Sequence, residues 1–269
     1  MPKSHPAPSS DAEPRDRTVR IGDQDVVYED TGVRGGPTFV LVHGIGMGHS
    51  VFRALAGELG TVGRVLALDL PGFGESPEPS SPRSMAESGD LIVDFVKQLG
   101  IDDPVLVGHS MGTQVVVEAV ARHPEVSDRI VLIAPTVNTA ERSVRKQAWR
   151  MVQDLVDENP RVIWIGAVHY VKTGPRWFLR KLRVMLDHHI EETLPEVQAD
   201  ALVLRGADDR VCPREWVAHV TELLPHAGMR EIPERGHEAM ITNPDPAARL
   251  IIAHARHSPN GSAPESAKS

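Results

Sequence analysis

From Thr18 to Glu29, apolar and polar residues alternate through VRI and VVY, with Gly22-Asp23 between them. This is the pattern of an antiparallel hairpin at one edge of a sheet. Apolar runs follow: TFVLVHG ending at Gly44, RVLALDL ending at Leu70, PVLVGHS ending at Ser110, RIVLIAP ending at Pro135 and ADALVLRG ending at Gly206. They are short, rich in β-branched residues and apolar on both faces, as buried parallel strands must be. A last strand is expected from Met229 to Pro233. Helical periodicity marks Val51 to Leu59, Ser84 to Leu99, Thr113 to Arg122, Glu215 to Leu224 and Pro244 to Ala255. The alternation predicts an α/β fold, a mostly parallel sheet with helices on both faces.

One stretch breaks the rhythm. Between Thr136 and Pro195 the pattern is helical only, as in Val144 to Val156 and Trp177 to Asp187, so a helical cap is expected over 136–195. An insertion there follows the carboxyl end of a parallel strand, where ligands bind in such sheets. The core is then 18–135 and 196–256. Residues 1–17 and 257–269 are too polar and Pro/Ser-rich to offset the entropy of ordering, and are expected to be disordered tails. A length of 269 residues suits one such domain with its insertion.

Composition narrows the class without naming the chemistry. Apolar residues at 41% and charged residues at 25% are ordinary for a globular chain. A net charge of -8 argues against nucleic-acid and anionic-membrane partners. No signal-like or membrane-spanning run is present, and the single cysteine, Cys212, cannot pair internally, so a cytoplasmic protein is expected. Five of the eleven aromatics (Trp149, Trp164, Tyr170, Trp177 and Phe178) fall in the insertion. The insertion also carries ten Lys and Arg against seven Asp and Glu, a local +3 that leaves -11 elsewhere.

Gly108-His109-Ser110-Met111-Gly112 fits G-x-S-x-G between an apolar strand and a helix. A serine on so sharp a turn needs flanking glycines for close approach, and the helix after it offers N–H groups to a developing negative charge. The serine also needs a base, and the base an orienting acid. Of thirteen histidines, His237 stands out in a Gly-His loop after the last strand. His109 belongs to the turn itself, with its side chain expected to point elsewhere. His123, His226 and His254 lie on or at the ends of helices. Asp208 and Asp209, after the strand ending at Gly206, are both candidates for the acid.

These segments together resemble the α/β-hydrolase family over nearly all of Thr18 to Ala255: LVHGIG, LDLPGFGES, GHSMG, LRGADDRVCP and ERGH, in that order. The resemblance implies an α/β-hydrolase sheet with an inserted cap. Its G-x-x-D-x-x-x-P pattern selects Asp209 as the acid, giving a Ser110, His237, Asp209 triad. It further implies an oxyanion hole from the amides of Met111 and Ile45, with Gly46 the near alternative.

Rival readings fit less well. Gly44-Ile45-Gly46-Met47-Gly48 has G-x-G-x-G spacing rather than the dinucleotide G-x-G-x-x-G. Adjacent His188 and His189 on a helix point about 100° apart and do not converge on a metal. Cys212 reads as a packing residue beside the acid loop. The expectation is a serine hydrolase of small or medium carboxylic esters, acting on a small-molecule substrate without cofactor or metal. Trp164 and Trp177 are candidate acyl-pocket residues. The alternatives are a lactonase or carbon–carbon bond hydrolase on the same triad, or a non-catalytic small-molecule receptor; position 110 is not the aspartate a haloalkane dehalogenase would need. Oligomeric state is not legible in the sequence.

Overall fold

The computed structural model describes residues 15–33, 35–138, 174–238, 240–241 and 243–256. Eight strands form one sheet: β1 (Arg15–Ile21), β2 (Gln24–Asp30), β3 (Thr38–Val42), β4 (Arg64–Leu68), β5 (Val105–His109), β6 (Arg129–Ile133), β7 (Asp200–Gly206) and β8 (Ala227–Ile232). Their spatial order is β1-β2-β4-β3-β5-β6-β7-β8. β1 and β2 pair antiparallel, and β2 meets β4 antiparallel; every other pair is parallel. The hairpin thus begins at Arg15, three residues inside the stretch expected to be a tail, because β1 pairs along its full length with β2.

Among the described residues the α-helices are α1 (Arg53–Leu59), α2 (Met85–Gln98), α3 (Met111–Arg122), α4 (Pro175–Asp187), α5 (Ile190–Thr193), α6 (Arg214–Leu223) and α7 (Asp245–Arg256). α2 starts at a capping box, the Ser84 hydroxyl accepting from the Glu87 amide while the Glu87 carboxylate accepts from the Ser84 amide. Continuous apolar runs make the central strands core on both faces, and Phe39, Leu41, Leu66, Leu106 and Val107 are wholly buried.

Of the expected cap, the structure describes 136–138 and 174–195; the helical stretch Val144 to Val156 lies outside the described residues. α4 begins with Pro175 after Gly174, whose φ of 76° suits glycine. It is fastened to the core by two polar side chains. Lys181 Nζ donates to the Arg83 carbonyl at 2.7 Å, and Gln114 Nε2 to the Met185 carbonyl at 3.2 Å. Burial pushes the Lys181 ammonium down to about 8.

α2 and α3 cross closely at Gly89, where a Cβ would lie 2.8 Å from the Ala119 amide nitrogen. Backbone cannot yield as a side chain does. Gly89→Ala should therefore destabilise the protein by about 1–3 kcal/mol, even though alanine favours helix by roughly 1 kcal/mol. A urea midpoint equal to or above that of the unmodified protein would refute the tight crossing.

Candidate active site

Parallel register gathers the site. Val42 pairs with Gly108, His109 with Ile133, Ile133 with Leu204, and Gly206 with Ile232. The loops after β3, β5, β7 and β8 therefore leave the same carboxyl edge side by side. Ser110 stands between β5 and α3 at φ 53°, ψ −118°, a left-handed conformation for a side-chain-bearing residue. Such backbone typically costs on the order of 1–3 kcal/mol and survives only where its surroundings enforce it. They do so here: the Ser110 amide donates to Ile133 O at 2.9 Å, and its carbonyl accepts from the Thr113 amide and hydroxyl. A Cβ on Gly112 would sit 2.2 Å from Val42 O, and one on Gly108 2.5 Å from Gly112 O. Only glycine fits at either position.

The loop after β3 passes directly beside the serine, since a Cβ on Gly44 would lie 3.1 Å from Ser110 Cβ. His43, which sequence reasoning passed over, fixes this loop. Its Nδ1–H donates to Gly44 O at 2.7 Å and its Nε2 accepts from the Leu70 amide at 3.0 Å, a pairing that defines the tautomer. The Ile45 N–H lies antiparallel to that carbonyl across the same trans peptide, so it points away from His43. Met111, the first residue of α3, presents an N–H without an intrahelical acceptor. Met111 thus follows Ser110 directly, and the loop that carries Ile45 passes beside it at Gly44.

Asp209 and His237 are both buried and in contact, His237 Nδ1 donating to Asp209 Oδ2 at 3.0 Å. The other carboxylate oxygen accepts the amides of Val211 and Cys212, each at 2.8 Å. Burial opposes ionisation of Asp209, but the His237 charge and these N–H donors hold it below the ordinary 3.8. Burial likewise opposes charging of His237, and the Asp209 carboxylate outweighs it, raising His237 well above 6.5. Among the described residues the Ser110 hydroxyl has no hydrogen bond, and His237 makes its side-chain contacts through Nδ1.

Gly206 lets the histidine loop fold over the acid loop, for a Cβ there would be 2.2 Å from Gly236 O. Buried Arg205 clamps the acid loop from beneath, donating to the carbonyls of Ala207, Asp209 and Cys212 at 2.8–2.9 Å. A lone arginine in the apolar strand DALVLRG is its signal in the sequence. Cys212 is closer to the chemistry than a packing residue: its Sγ lies 3.8 Å from His237 Nδ1 and donates to Pro135 O. Burial drives that thiol up to about 12, so it stays protonated.

His109 corrects an expectation. Its side chain does not leave the site; Nε2 approaches the His237 carbonyl at 3.2 Å, and the rings stand 5.2 Å apart. Complete burial presses its pKa down to about 3, leaving a neutral ring that ties the elbow to the histidine loop. His123 pairs with Asp90, His189 with Glu191, and His188 lies 3.5 Å from Glu118, so these stand apart from Ser110 in separate pairs.

Of the two candidate pocket residues, Trp164 lies outside the described residues. Trp177 is buried on α4 against Gly72, where a Cβ would meet its ring at 2.3 Å, with Arg180 stacked over it at 5.4 Å. Its neighbour Phe178 reaches the loop after β3, 2.8 Å from where a Gly46 Cβ would be. Among the described residues no helix is long and apolar enough to cross a membrane.

Residues 39–250 match the model of the alpha/beta hydrolase family, and the chain belongs to that family. It is 25% identical over 248 residues to the pimeloyl-[acyl-carrier protein] methyl ester esterase of Chromobacterium violaceum, covering 81% of this chain and 94% of the esterase. It is 24% identical over 272 residues to the 2-hydroxy-6-oxo-6-(2'-aminophenyl)hexa-2,4-dienoic acid hydrolase of Metapseudomonas resinovorans, covering 88% and 90% of the two chains. The enol-lactonase of Burkholderia xenovorans LB400 shares the fold, with a TM-score of 0.76 at 19% identity over 88% of this chain and 99% of that one.

The sign of the charge coupling gives a direct check. A raised His237 adds stability in full below pH 6.5, and this is lost as pH rises through its folded-state value. A depressed Asp209 adds stability above 3.8 that is lost as pH falls through its own folded-state value. Asp209→Asn leaves burial as the dominant influence, so the His237 ring titration, followed by NMR, should fall below 6.5. An unmoved titration would show that the carboxylate does not govern it.

Proposed function

We propose that this α/β hydrolase is a serine hydrolase of small or medium carboxylic esters, working through an acyl-enzyme on Ser110, His237 and Asp209. The observation that carries the reading is the buried Asp209–His237 hydrogen bond at the same sheet edge as the strained Ser110 elbow. Ser110 Oγ attacks the ester carbonyl as His237 Nε2 takes its proton, and Asp209 stabilises the imidazolium through Nδ1–H. The tetrahedral oxyanion is held by the amides of Met111 and Ile45, each donor contributing about 3–4 kcal/mol to the transition state. His237 passes the proton to the leaving alkoxide, then draws one from water as it attacks the acyl-enzyme, and returns it to Ser110 Oγ as the acid leaves.

The raised His237 requires that it lose its proton before acting as base, so kcat/KM should decline toward acid pH through that raised value. The ester preference follows the Chromobacterium relative, whose name describes a methyl ester esterase. The dienoic acid hydrolase makes carbon–carbon cleavage on the same residues the second reading. The cap segment 136–195 is proposed to cover Ser110, with Trp177 buttressing α4 and Phe178 forming a wall of the acyl site.

A panel of esters, lactones and ring-cleavage diketones separates these readings. In folded Ser110→Ala the turnover of the preferred ester should drop by at least roughly 10³-fold. Undiminished turnover would end the serine mechanism, and a diketone preferred over every ester would move the reading to the second reaction. Phe178→Ala should shift acyl-length preference with a smaller loss of stability than Trp177→Ala, which should destabilise by about 3–5 kcal/mol. The same acyl profile in both variants and the unmodified protein would remove Phe178 from the pocket.

A further inference from the structure

We propose that Asp16, Glu29 and His49 form a binding site for a divalent first-row transition metal ion, zinc being the best match to the donors. Asp16 on β1 and Glu29 on β2 are direct register partners, so their carboxylates share one face of the sheet. Like charges placed opposite one another weaken an antiparallel pair. Asp16 is open to solvent, but Glu29 is only 7% exposed, and no hydrogen bond or ion pair from the described residues satisfies its carboxylate. The neighbouring charge it meets is that of His49, and a carboxylate so placed is open to an ion or water.

His49, which opens the turn after the Gly44–Gly48 loop, supplies the third donor. Its Nδ1 is held by Asp69 Oδ2 at 3.0 Å, and its amide donates to Asp69 Oδ1 at 2.5 Å. A carboxylate fixing one ring nitrogen so that the other faces outward is the arrangement found behind metal-binding histidines. Nε2 lies 3.4 Å from Asp16 Oδ1, and the donor atoms of all three residues lie within 4.8 Å of one another. That separation is long for an N–H···O hydrogen bond, which spans about 2.7–3.2 Å. It equals the edge of a tetrahedron with metal–ligand bonds of about 2.0–2.2 Å, roughly 3.4 Å.

One imidazole and two carboxylates suit zinc better than magnesium or calcium, which prefer all-oxygen sets. Three protein donors leave the fourth position to water. The ion would neutralise the facing carboxylates and rivet the β1–β2 hairpin to the turn that follows the candidate oxyanion loop.

The test uses the whole chain, stripped with a chelator and titrated calorimetrically with Zn²⁺ alone. One saturable site is expected, with Zn²⁺ raising the melting temperature. Glu29→Gln and Asp16→Asn, both near-isosteric, should each bind at least tenfold more weakly and lose the thermal shift, while folding and any ester hydrolysis persist. Two other donor clusters, Asp209 with Cys212 and His237, and His109 with His237 and Glu238, provide the control, because His237→Asn should leave the proposed binding intact. The proposal is overturned if the stripped protein shows no saturable binding. It is equally overturned if affinity is unchanged in Glu29→Gln and Asp16→Asn, or lost in His237→Asn.

Discussion

The close approach of bare backbone around Ser110 is the constraint on which the architecture of the site depends. The β5–α3 turn can hold a serine at positive φ only because Gly108 and Gly112 let main chain meet main chain at distances a Cβ would forbid. With α3 that near β3, the loop after β3 passes beside the serine, and a Cβ on Gly44 would crowd the side chains of Ser110 and His109. His43 then pins that loop to Leu70, so the orientation of its peptide groups follows from a histidine whose own ring is held at both nitrogens. Strain at Ser110 is thus borne by the segments packed around it.

On the other side of the serine the problem is charge rather than space. An aspartate and a histidine buried together need each other and need further donors, since an isolated carboxylate there would take up a proton. Two amides of the acid loop supply those donors, and Arg205 holds the loop's carbonyls so that the amides face the carboxylate. His109 performs the complementary task on the histidine loop, and it does so uncharged, adding no repulsion to His237. The proposed catalytic residues therefore rest on buried polar groups, Arg205 and His109 among them.

The sheet was legible because buried parallel strands leave a signature that no surface element shares, and each expected core strand lies within a residue or two of its place. The hairpin start was not, because Arg15 and Asp16 are polar residues whose strand conformation comes from pairing with β2 rather than from their own pattern. The family's motifs marked Ser110, Asp209 and His237, which local sequence alone left as a choice between two aspartates. What escaped reading was everything defined by contact across the chain. Arg205, His43 and His109 look ordinary in sequence, and Asp16, Glu29 and His49 converge only after the hairpin folds against the turn at His49. The weight placed on Trp177 rested on its residue type, whereas α4 turns that ring onto Gly72 and sends Phe178 toward Gly46.

The tie between the elbow and the histidine loop spans a wide gap in the chain: His109 and His237 are 128 residues apart. At a ribosomal rate of about 5–20 residues per second, roughly 6–25 s separate the emergence of the two. During that interval the turn of the proposed nucleophile can pack against β3 and β6 while the position of its proposed base is still empty. A nascent chain of this topology would carry a finished serine elbow that is chemically silent, and reactivity would switch on only when β8 docks as the last strand of the sheet.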